Sequence, residues 1–215
     1  MTGQVPKTVL ITGAAKRIGR VLALDLARSG YDVALHCHHS RNDADHLADE
    51  IRGLGQRACV ISADLANEAD THRIIDEAQA ALGPIGVLIN NASTFEYDDV
   101  ESATRESWDL HMAANLRAPF VLSQEFSKHL PSDCQGAIIN LIDQRVWNLN
   151  PHFMTYTLSK AGLWTLTQTL ALALAPKIRV NAIGPGPALP STRQTQDVFD
   201  QQCAKTPLKV GTNPQ

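Results

Sequence analysis

A phenol and an ammonium group stand four residues apart in Tyr156 and Lys160. On a helix, residues at that spacing share one face. A fixed positive charge lowers the pKa of a nearby phenol from its usual value of about 10, which makes the hydroxyl a usable proton donor near neutral pH. Because most chance occurrences of this pattern are solvated helix faces, its weight depends on the residues around it.

Asp143 ends a short apolar run, residues 136–143, that precedes this pair. The run is too short for a helix and predicts a buried strand with Asp143 at its carboxyl end. A helix predicted over 156–175 follows after a polar loop. Since ligands of open α/β sheets bind at the carboxyl ends of the strands, Asp143, Tyr156 and Lys160 are expected together at one catalytic edge.

A glycine-rich turn joins the first predicted strand, Thr8–Ile11, to a helix predicted over 21–29. Such a turn directs free N–H groups and the positive end of the helix at a pyrophosphate. Many α/β proteins use glycine in a tight turn, so glycine alone is weak evidence. This turn also contains two cations, Lys16 and Arg17, which match more negative charge than a pyrophosphate carries. The predicted phosphate-binding residues are Gly13, Lys16, Arg17, Ile18 and Gly19.

The second predicted strand, 32–36, ends without the acidic residue that NAD-binding folds usually place there for the ribose 2′-hydroxyl. Hydrogen-bond donors and positive charge take its place, as a 2′-phosphate requires, in His36, His39, Ser40 and Arg41. The predicted cofactor is therefore NADPH. Metal binding is the rival interpretation of the histidines, but adjacent strand residues point to opposite faces, so no metal site is predicted.

Strands and helices alternate along the rest of the chain, which predicts one α/β domain over residues 1–215 with a Rossmann-like doubly wound parallel sheet and helices on both faces. The remaining predicted helices span 42–52, 68–81 and 108–129, and the remaining strands span 58–61, 86–89 and 178–183. Pro119 is expected to bend the longest of these helices, and Asn115 near its middle would ordinarily be exposed. The loop from Gly184 to about Asp197 is a natural lid.

Composition limits the partners of the protein. The 215 residues suit one domain with a sizeable core, and the formal net charge of −3 favours neither nucleic acid nor a membrane surface. Small molecules are the expected partners. Four widely spaced cysteines indicate reduced thiols, and no run approaches about 18 apolar residues, so a cytoplasmic location is predicted.

Together these motifs resemble the short-chain dehydrogenases/reductases over nearly the whole chain. The matching residues, in family order, are Thr12-Gly13…Gly19, Asp64-Leu65, Asn90-Asn91-Ala92, Asn115, Tyr156, Lys160, and Asn181 with Pro185-Gly186. The resemblance implies that Tyr156 donates a proton, that Lys160 lowers its pKa and holds the nicotinamide ribose, and that Asn115 anchors a water in the proton relay. It also implies cofactor contacts from Asp64, Leu65, Asn91, Ala92, Ser93, Pro185 and Gly186. From spacing alone, ordinary turn chemistry explains Asp64 and the stretch 90–93 equally well.

Three departures from the family pattern are informative. Asp143 stands where the family usually has Ser, Arg17 replaces the middle glycine of the turn, and the chain ends roughly 30 to 40 residues early, so the usual last strand is expected to be absent. The first two departures are similar to the pteridine reductase branch. That resemblance implies that Ser93 and Phe95 hold a pterin, with Phe95 stacking on it, and that Arg17, Asp143 and Tyr156 complete the substrate site. A lone Phe is more often a core residue.

The preferred interpretation is an NADPH-dependent reductase of a pterin or folate C=N bond, with Asp143 serving Tyr156 as a proton reservoir. One alternative is a carbonyl reductase of a 3-oxoacyl thioester or a sugar, which a carboxylate at Asp143 disfavours because it would repel a developing alkoxide. Another is an NADP(H)-binding protein without turnover, which would not need the pair of Tyr156 and Lys160.

Apolar residues on more than one side of helices 108–129 and 156–175 predict a homodimer or homotetramer, since exposed apolar patches usually mark interfaces. They are Leu163, Trp164, Leu166, Leu170, Leu172 and Leu174. The resemblance implies that these two helices form a four-helix contact across a two-fold axis.

Overall fold

Six parallel strands form one sheet in the spatial order β3-β2-β1-β4-β5-β6, in a computed structural model that describes residues 3–189, 195–212 and 214. The strands are β1 Thr8–Ile11, β2 Asp32–Cys37, β3 Ala58–Ser62, β4 Val87–Asn90, β5 Gly136–Leu141 and β6 Ile178–Ile183. The direction of winding reverses between β1 and β4, and open sheets of this kind bind ligands at that point. The predicted doubly wound sheet is confirmed.

Helices cover both faces of the sheet because its strands are apolar on both sides. Leu10, Leu88 and Ile138 belong to one buried cluster, and Val9 and Leu35 belong to another. Adjacent strand residues point to opposite faces, so the neighbours Val9 and Leu10 feed different cores. The helices are α1 Arg17–Arg28, α2 Arg41–Gly53, α3 Glu68–Leu82, α4 Arg105–Met112, α5 Ala118–His129, α6 Met154–Leu174 and α7 Gln196–Ala204.

The helix predicted over 108–129 differs most from the structure. It consists of α4, a π-helical segment over Ala113–Arg117, and α5. The helical backbone runs through all three without a break, so Pro119 lies inside the helix, where it lacks the N–H that would bond to a carbonyl of the preceding turn and its ring crowds the carbonyl of Asn115. The irregular segment is the turn that a proline at position 119 disturbs, and it includes Asn115, a candidate site residue.

The last part of the chain differs from expectation too. Helix α7 was not predicted, and it begins inside the stretch interpreted as a lid. Residues 190–194 of that lid lie outside the described residues. In the described parts after β6 there is no further strand, and no described helix is long and apolar enough to cross a membrane.

A buried chain of hydrogen bonds holds α6 on the ends of β4 and β5. Asn90 Nδ2 donates to Asn140 Oδ1 at 2.8 Å, Asn140 Nδ2 donates to Thr167 Oγ1 at 2.9 Å, and Thr167 Oγ1 donates to Leu163 O at 2.8 Å. The three polar side chains are buried, so each lost bond would leave an unsatisfied group in the core. This chain places the middle of α6 relative to the sheet.

The apolar surface of α6 is narrower than predicted. Leu163 is buried, and Leu170 and Leu174 pack against the core, so these three are not available to a partner. Trp164 contacts the ring of Trp147 at 5.6 Å between centroids. Leu172 remains exposed.

Candidate active site

The glycine turn between β1 and α1 packs tightly on the loop after β4. Gly13 has a φ of +61°, and a Cβ there would lie 2.9 Å from Ala92 Cα. A Cβ on Gly19 would lie 2.3 Å from Gly13 O. Neither position accepts a side chain without movement of the backbone. Arg17 has a φ of +53°, so it keeps the left-handed conformation that glycine adopts most easily.

A cleft of about 440 Å³ opens beside this turn. Its lining residues are Gly13, Lys16, Arg17, Ile18, Gly19, His36, His38, Asp64, Leu65, Asn91, Ala92, Ser93, Thr94 and Ala114. The structure thus brings together most of the predicted cofactor residues. The exceptions, which do not line the cleft, are His39, Ser40, Arg41, Lys160, Pro185 and Gly186. His38 lines it where His39 was predicted.

Two of the predicted phosphate-binding cations are paired with carboxylates of α2. Lys16 Nζ lies 3.0 Å from Asp43 Oδ2, and Arg41 Nε lies 2.9 Å from Asp45 Oδ2. All four side chains are exposed, and pairs of that kind contribute about 0 to 1 kcal/mol. A phosphate can therefore displace either carboxylate at small cost.

His36 departs from the role predicted for it. Its Nδ1 accepts a hydrogen bond from Gly13 N at 3.2 Å, so its Nε2 carries the proton and donates to Ala63 O at 3.1 Å. Burial lowers the pKa of His36 to about 4, and the side chain is neutral near pH 7. His36 therefore cannot offer positive charge to a 2′-phosphate. It fixes the glycine turn to the end of β2 instead.

Asn91 also supports the glycine turn. Its Nδ2 donates to Thr12 O at 2.8 Å and to Gly13 O at 3.0 Å. Thr12 Oγ1 in return accepts from the main-chain N–H groups of Asn91 and Ala92 at 2.9 and 3.0 Å. Asp64 Oδ1 accepts from Ala66 N at 2.9 Å, which is ordinary turn chemistry.

Tyr156 and Asp143 form a direct pair at the end of β5. Tyr156 Oη donates to Asp143 Oδ2 at 2.9 Å, and Asp143 Oδ1 accepts from Arg145 N at 2.8 Å. Burial, together with the negative charge of Asp143 and the hydrogen bond to it, raises the pKa of Tyr156 above its usual value. The predicted lowering of that pKa is therefore absent from this structure.

Lys160 is buried one turn along α6 from Tyr156. Its Nζ donates to Leu141 O at 2.8 Å and lies 5.9 Å from the centroid of the Tyr156 ring. Burial disfavours the charged amine and lowers the pKa of Lys160 to about 8. The amine is still mostly protonated near pH 7, but it does not contact the phenol oxygen.

Asn115 is fully buried in the π-helical segment, contrary to the exposure expected for an Asn within a helix. Its Oδ1 accepts from Thr94 N at 2.8 Å and from Ser93 Oγ at 3.3 Å. Its Nδ2 donates to Thr94 O at 2.9 Å and to Ser159 Oγ at 3.1 Å. The side chain therefore ties the 93–94 loop to α6. The oxygen and the nitrogen of the side-chain amide are thus both engaged within the protein.

Phe95 lies in an aromatic group beside Tyr156. The rings of Phe95 and Phe153 stack at 4.2 Å between centroids with 8° between planes, and Phe95 meets the Tyr156 ring edge-on at 4.7 Å. The Arg145 guanidinium carbon lies 4.9 Å from the Phe153 centroid and 5.8 Å from that of Phe95. Sequence reasoning missed Phe153 and Arg145. Their position in the loop between Asp143 and Tyr156 was the available signal.

A second missed group holds the start of α6. Asp98 is buried and accepts from Thr155 N and from Ser107 Oγ, each at 3.1 Å, and also from the Thr155 hydroxyl. His111 Nε2 accepts from Glu96 N at 3.1 Å, and its Nδ1 donates to Thr155 Oγ1 at 2.7 Å. These bonds link the loop that carries Phe95 to the helix that carries Tyr156.

Comparison with known proteins agrees with this geometry. A family model described as short chain dehydrogenase matches residues 7–202. FolM alternative dihydrofolate reductase 1 from Brucella canis, solved with NADP, shows a TM-score of 0.93 and 47% identity over 96% of this chain and 82% of its own. The Brucella suis protein of the same name was also solved with NADP. It shows a TM-score of 0.93 and 46% identity, over 100% of this chain and 85% of its own.

A more distant relative is the 3-oxoacyl-(acyl-carrier-protein) reductase FabG of Staphylococcus epidermidis. It is 33% identical over 206 residues, which cover 94% of this chain and 84% of FabG. These findings confirm the resemblance carried by the motifs of the sequence.

His36 should make the stability of the fold depend on pH. The pKa of His36 is about 4 in the folded chain and 6.5 in the unfolded chain. Between pH 4 and pH 6.5 the unfolded chain therefore binds more protons, so the free energy of unfolding falls as the pH falls. From pH 7 to pH 5, His36 alone should lower that free energy by about 2 kcal/mol. Urea unfolding at the two pH values measures the change.

The substitution His36→Gln should remove most of this pH dependence. His46→Gln is the matched control, because His46 is exposed on α2 and should leave the dependence as in the parent. A His36→Gln protein that loses stability between pH 7 and pH 5 as steeply as the parent would contradict the assignment.

Proposed function

Because the chain belongs to the short-chain dehydrogenase/reductase family, we propose that it is an NADPH-dependent reductase acting on a ring C=N bond of a pterin or folate. The observation that carries this proposal is the 2.9 Å hydrogen bond between Tyr156 and Asp143 beside the Phe95 ring. It joins a carboxyl group to the proton donor next to a surface on which a flat ring can stack. The likeness to NADP-bound FolM dihydrofolate reductases supports the same substrate class.

The cofactor cleft fits a dinucleotide. It lies at the reversal point of the sheet, and the approach of the backbone at Gly13 and Gly19 leaves the start of α1 open to a pyrophosphate. Lys16, Arg17 and His38 line the cleft and favour a phosphorylated cofactor. Bound NADPH would supply the hydride that reduces the ring carbon. We assign the outer contacts, which remain proposals, to His39, Ser40, Arg41, Pro185 and Gly186.

The residues of the chain supply the proton. Since burial and Asp143 raise the pKa of Tyr156, its phenol is protonated near neutral pH and can protonate the ring nitrogen next to the reduced carbon. Asp143 accepts the hydrogen bond from Tyr156 as a carboxylate, so it would take up a proton from solvent and then pass it to the Tyr156 oxygen along the same hydrogen bond. Lys160 adds positive charge in the same buried region, and Ser93 and Phe95 would orient the ring.

Carbonyl reduction is a second candidate, because the curated relative FabG is a 3-oxoacyl reductase. The geometry of Asp143 argues against it. A carboxylate next to Tyr156 would repel the oxyanion that develops when a ketone is reduced, whereas a hydroxyl would donate to it.

A steady-state assay of cofactor oxidation tests the proposal. Dihydrobiopterin, dihydrofolate, an acetoacetyl thioester and a blank without substrate would each be run with NADPH and with NADH. We expect turnover of a pterin or folate, at least ten-fold faster with NADPH. Turnover of the thioester alone would establish carbonyl reduction, and oxidation of neither cofactor with any substrate would reject both activities.

Asp143→Ser should lower kcat/KM for dihydropterin reduction at least ten-fold, about 1.4 kcal/mol in the barrier, because the hydroxyl cannot resupply a proton to Tyr156. Activity on simple ketones should hold or increase. Kinetics from pH 5 to pH 8 measure both, with Asp133→Ser, at an exposed position, as the control. Equal pterin reduction by Asp143→Ser throughout that range would show that Asp143 only caps the turn at Arg145.

We also propose a homodimer or homotetramer and a cytoplasmic location, which the free cysteines support. An apolar groove of about 530 Å³ is lined by Asp109, Met112, Ala113, Leu116, Arg117, Phe120 and Leu166. A second copy of the helices on either side of the groove would cover it and the exposed Trp108.

Light scattering at micromolar concentration should show at least a dimer. Leu166→Asp should lower the measured mass to that of a monomer, because the substitution would bury a charge in the contact. Leu54→Asp changes an exposed Leu just after α2 and should leave the mass unchanged. A parent protein that is monomeric under these conditions contradicts the interface.

A further inference from the structure

Arg145 differs from most arginines of the chain in having no carboxylate partner among the described residues. The arginines with such a partner are Arg20, Arg28, Arg41, Arg52, Arg57, Arg73, Arg105 and Arg117. Arg145 Nη1 is buried, and within the described parts of the chain it has no hydrogen-bond partner. A buried donor without a partner costs about 1 to 3 kcal/mol, so its retention calls for an explanation.

The surroundings of Arg145 place it at the reacting end of the site. Its main-chain N–H donates to Asp143, the carboxylate that accepts a hydrogen bond from Tyr156, and its guanidinium lies beside the stacked rings of Phe95 and Phe153. It is not among the residues that line the cofactor cleft. The guanidinium therefore lies beside the aromatic group and outside the cofactor cleft.

The backbone of Phe153 adds to the cost of this arrangement. Its φ of 58° and ψ of 48° are left-handed, which is rare for a bulky residue and costs about 1 to 3 kcal/mol. The strained residue is also the one whose ring lies nearest the guanidinium, at 4.9 Å. A strained backbone and a buried N–H donor without a hydrogen-bond partner at one place indicate a surface shaped for a ligand and not for stability.

We propose that Arg145 binds an anionic substituent of the substrate, a carboxylate or a phosphate attached to the ring that stacks on Phe95. The inference rests on the proposed function and adds a determinant of specificity to it. A guanidinium offers paired N–H donors that match the two oxygens of a carboxylate or phosphate, whereas the ring itself is held by aromatic contact. Arg145 therefore distinguishes charged from neutral substrates of one ring class.

Matched substrates test this assignment. 6-Carboxydihydropterin carries a carboxylate, dihydroneopterin phosphate carries a phosphate on its short side chain, and dihydrobiopterin has a neutral substituent. Arg145→Gln should lower kcat/KM at least ten-fold for the anionic substrates, mainly through KM, and less than three-fold for dihydrobiopterin. Loss with the carboxylate only, or with the phosphate only, identifies which anion Arg145 binds.

Control variants separate this role from a structural one. Arg145→Lys keeps the charge and should recover part of the anionic activity, while Arg105→Gln, which removes an exposed pair with Asp109, should change nothing. Titration with NADPH should give parent affinity in every variant and so verify folding. Should Arg145→Gln not fold, Arg145→Lys still tests the proposal, because losing the paired donors should weaken only the anionic substrates.

Two results would overturn the inference. One is a similar loss for all substrates in Arg145→Gln, which would mean that Arg145 acts on Tyr156 or on packing alone. The other is a parent enzyme that reduces dihydrobiopterin but not the anionic compounds. A parent enzyme that reduces no pterin or folate at all would instead reject the proposed function, together with the inference that rests on it.

Discussion

Two sets of buried hydrogen bonds fix helix α6, and the geometry of the active site depends on both. At its start, the carboxylate of Asp98 accepts from Thr155, and in its middle Thr167 accepts from Asn140 on β5. A carboxylate at a helix N-terminus also interacts favourably with the helix dipole. Tyr156 lies between these two anchors, so its hydroxyl is held at the carboxyl end of β5, where Asp143 follows the strand.

The chemistry of the pair depends on burial more than on formal charge. A buried Tyr next to a carboxylate keeps its proton, and a buried Lys gives up its proton more readily, so the two pKa values move apart, that of Tyr156 upwards and that of Lys160 downwards. A site of this kind binds a proton firmly at the phenol before reaction. After Tyr156 gives up its proton, the negative charge on its oxygen must be balanced by the amine of Lys160 and by the group that protonates Asp143.

The sequence was sufficient for the sheet, the glycine turn and the meeting of Asp143 with Tyr156, because apolar runs and turn residues are local signals that set the order of strands. It was insufficient for partners that meet only through tertiary contact. The tautomer of His36 depends on Gly13, which lies on another element, and the π-helical segment around Asn115 depends on bonds to Thr94 and Ser159. Likewise, no periodicity could show that Phe153 stacks on Phe95.

The carboxylates of α2 have a consequence for how a phosphorylated ligand arrives. Lys16 and Arg41 are each matched by an Asp on the first turns of that helix, so the field that this part of the surface projects into solvent is weak. A ligand approaching from a distance would feel little attraction and would not be guided over a long range. Discrimination would instead take place on contact, when a phosphate oxygen exchanges with a carboxylate oxygen, and the encounter rate would vary little with ionic strength.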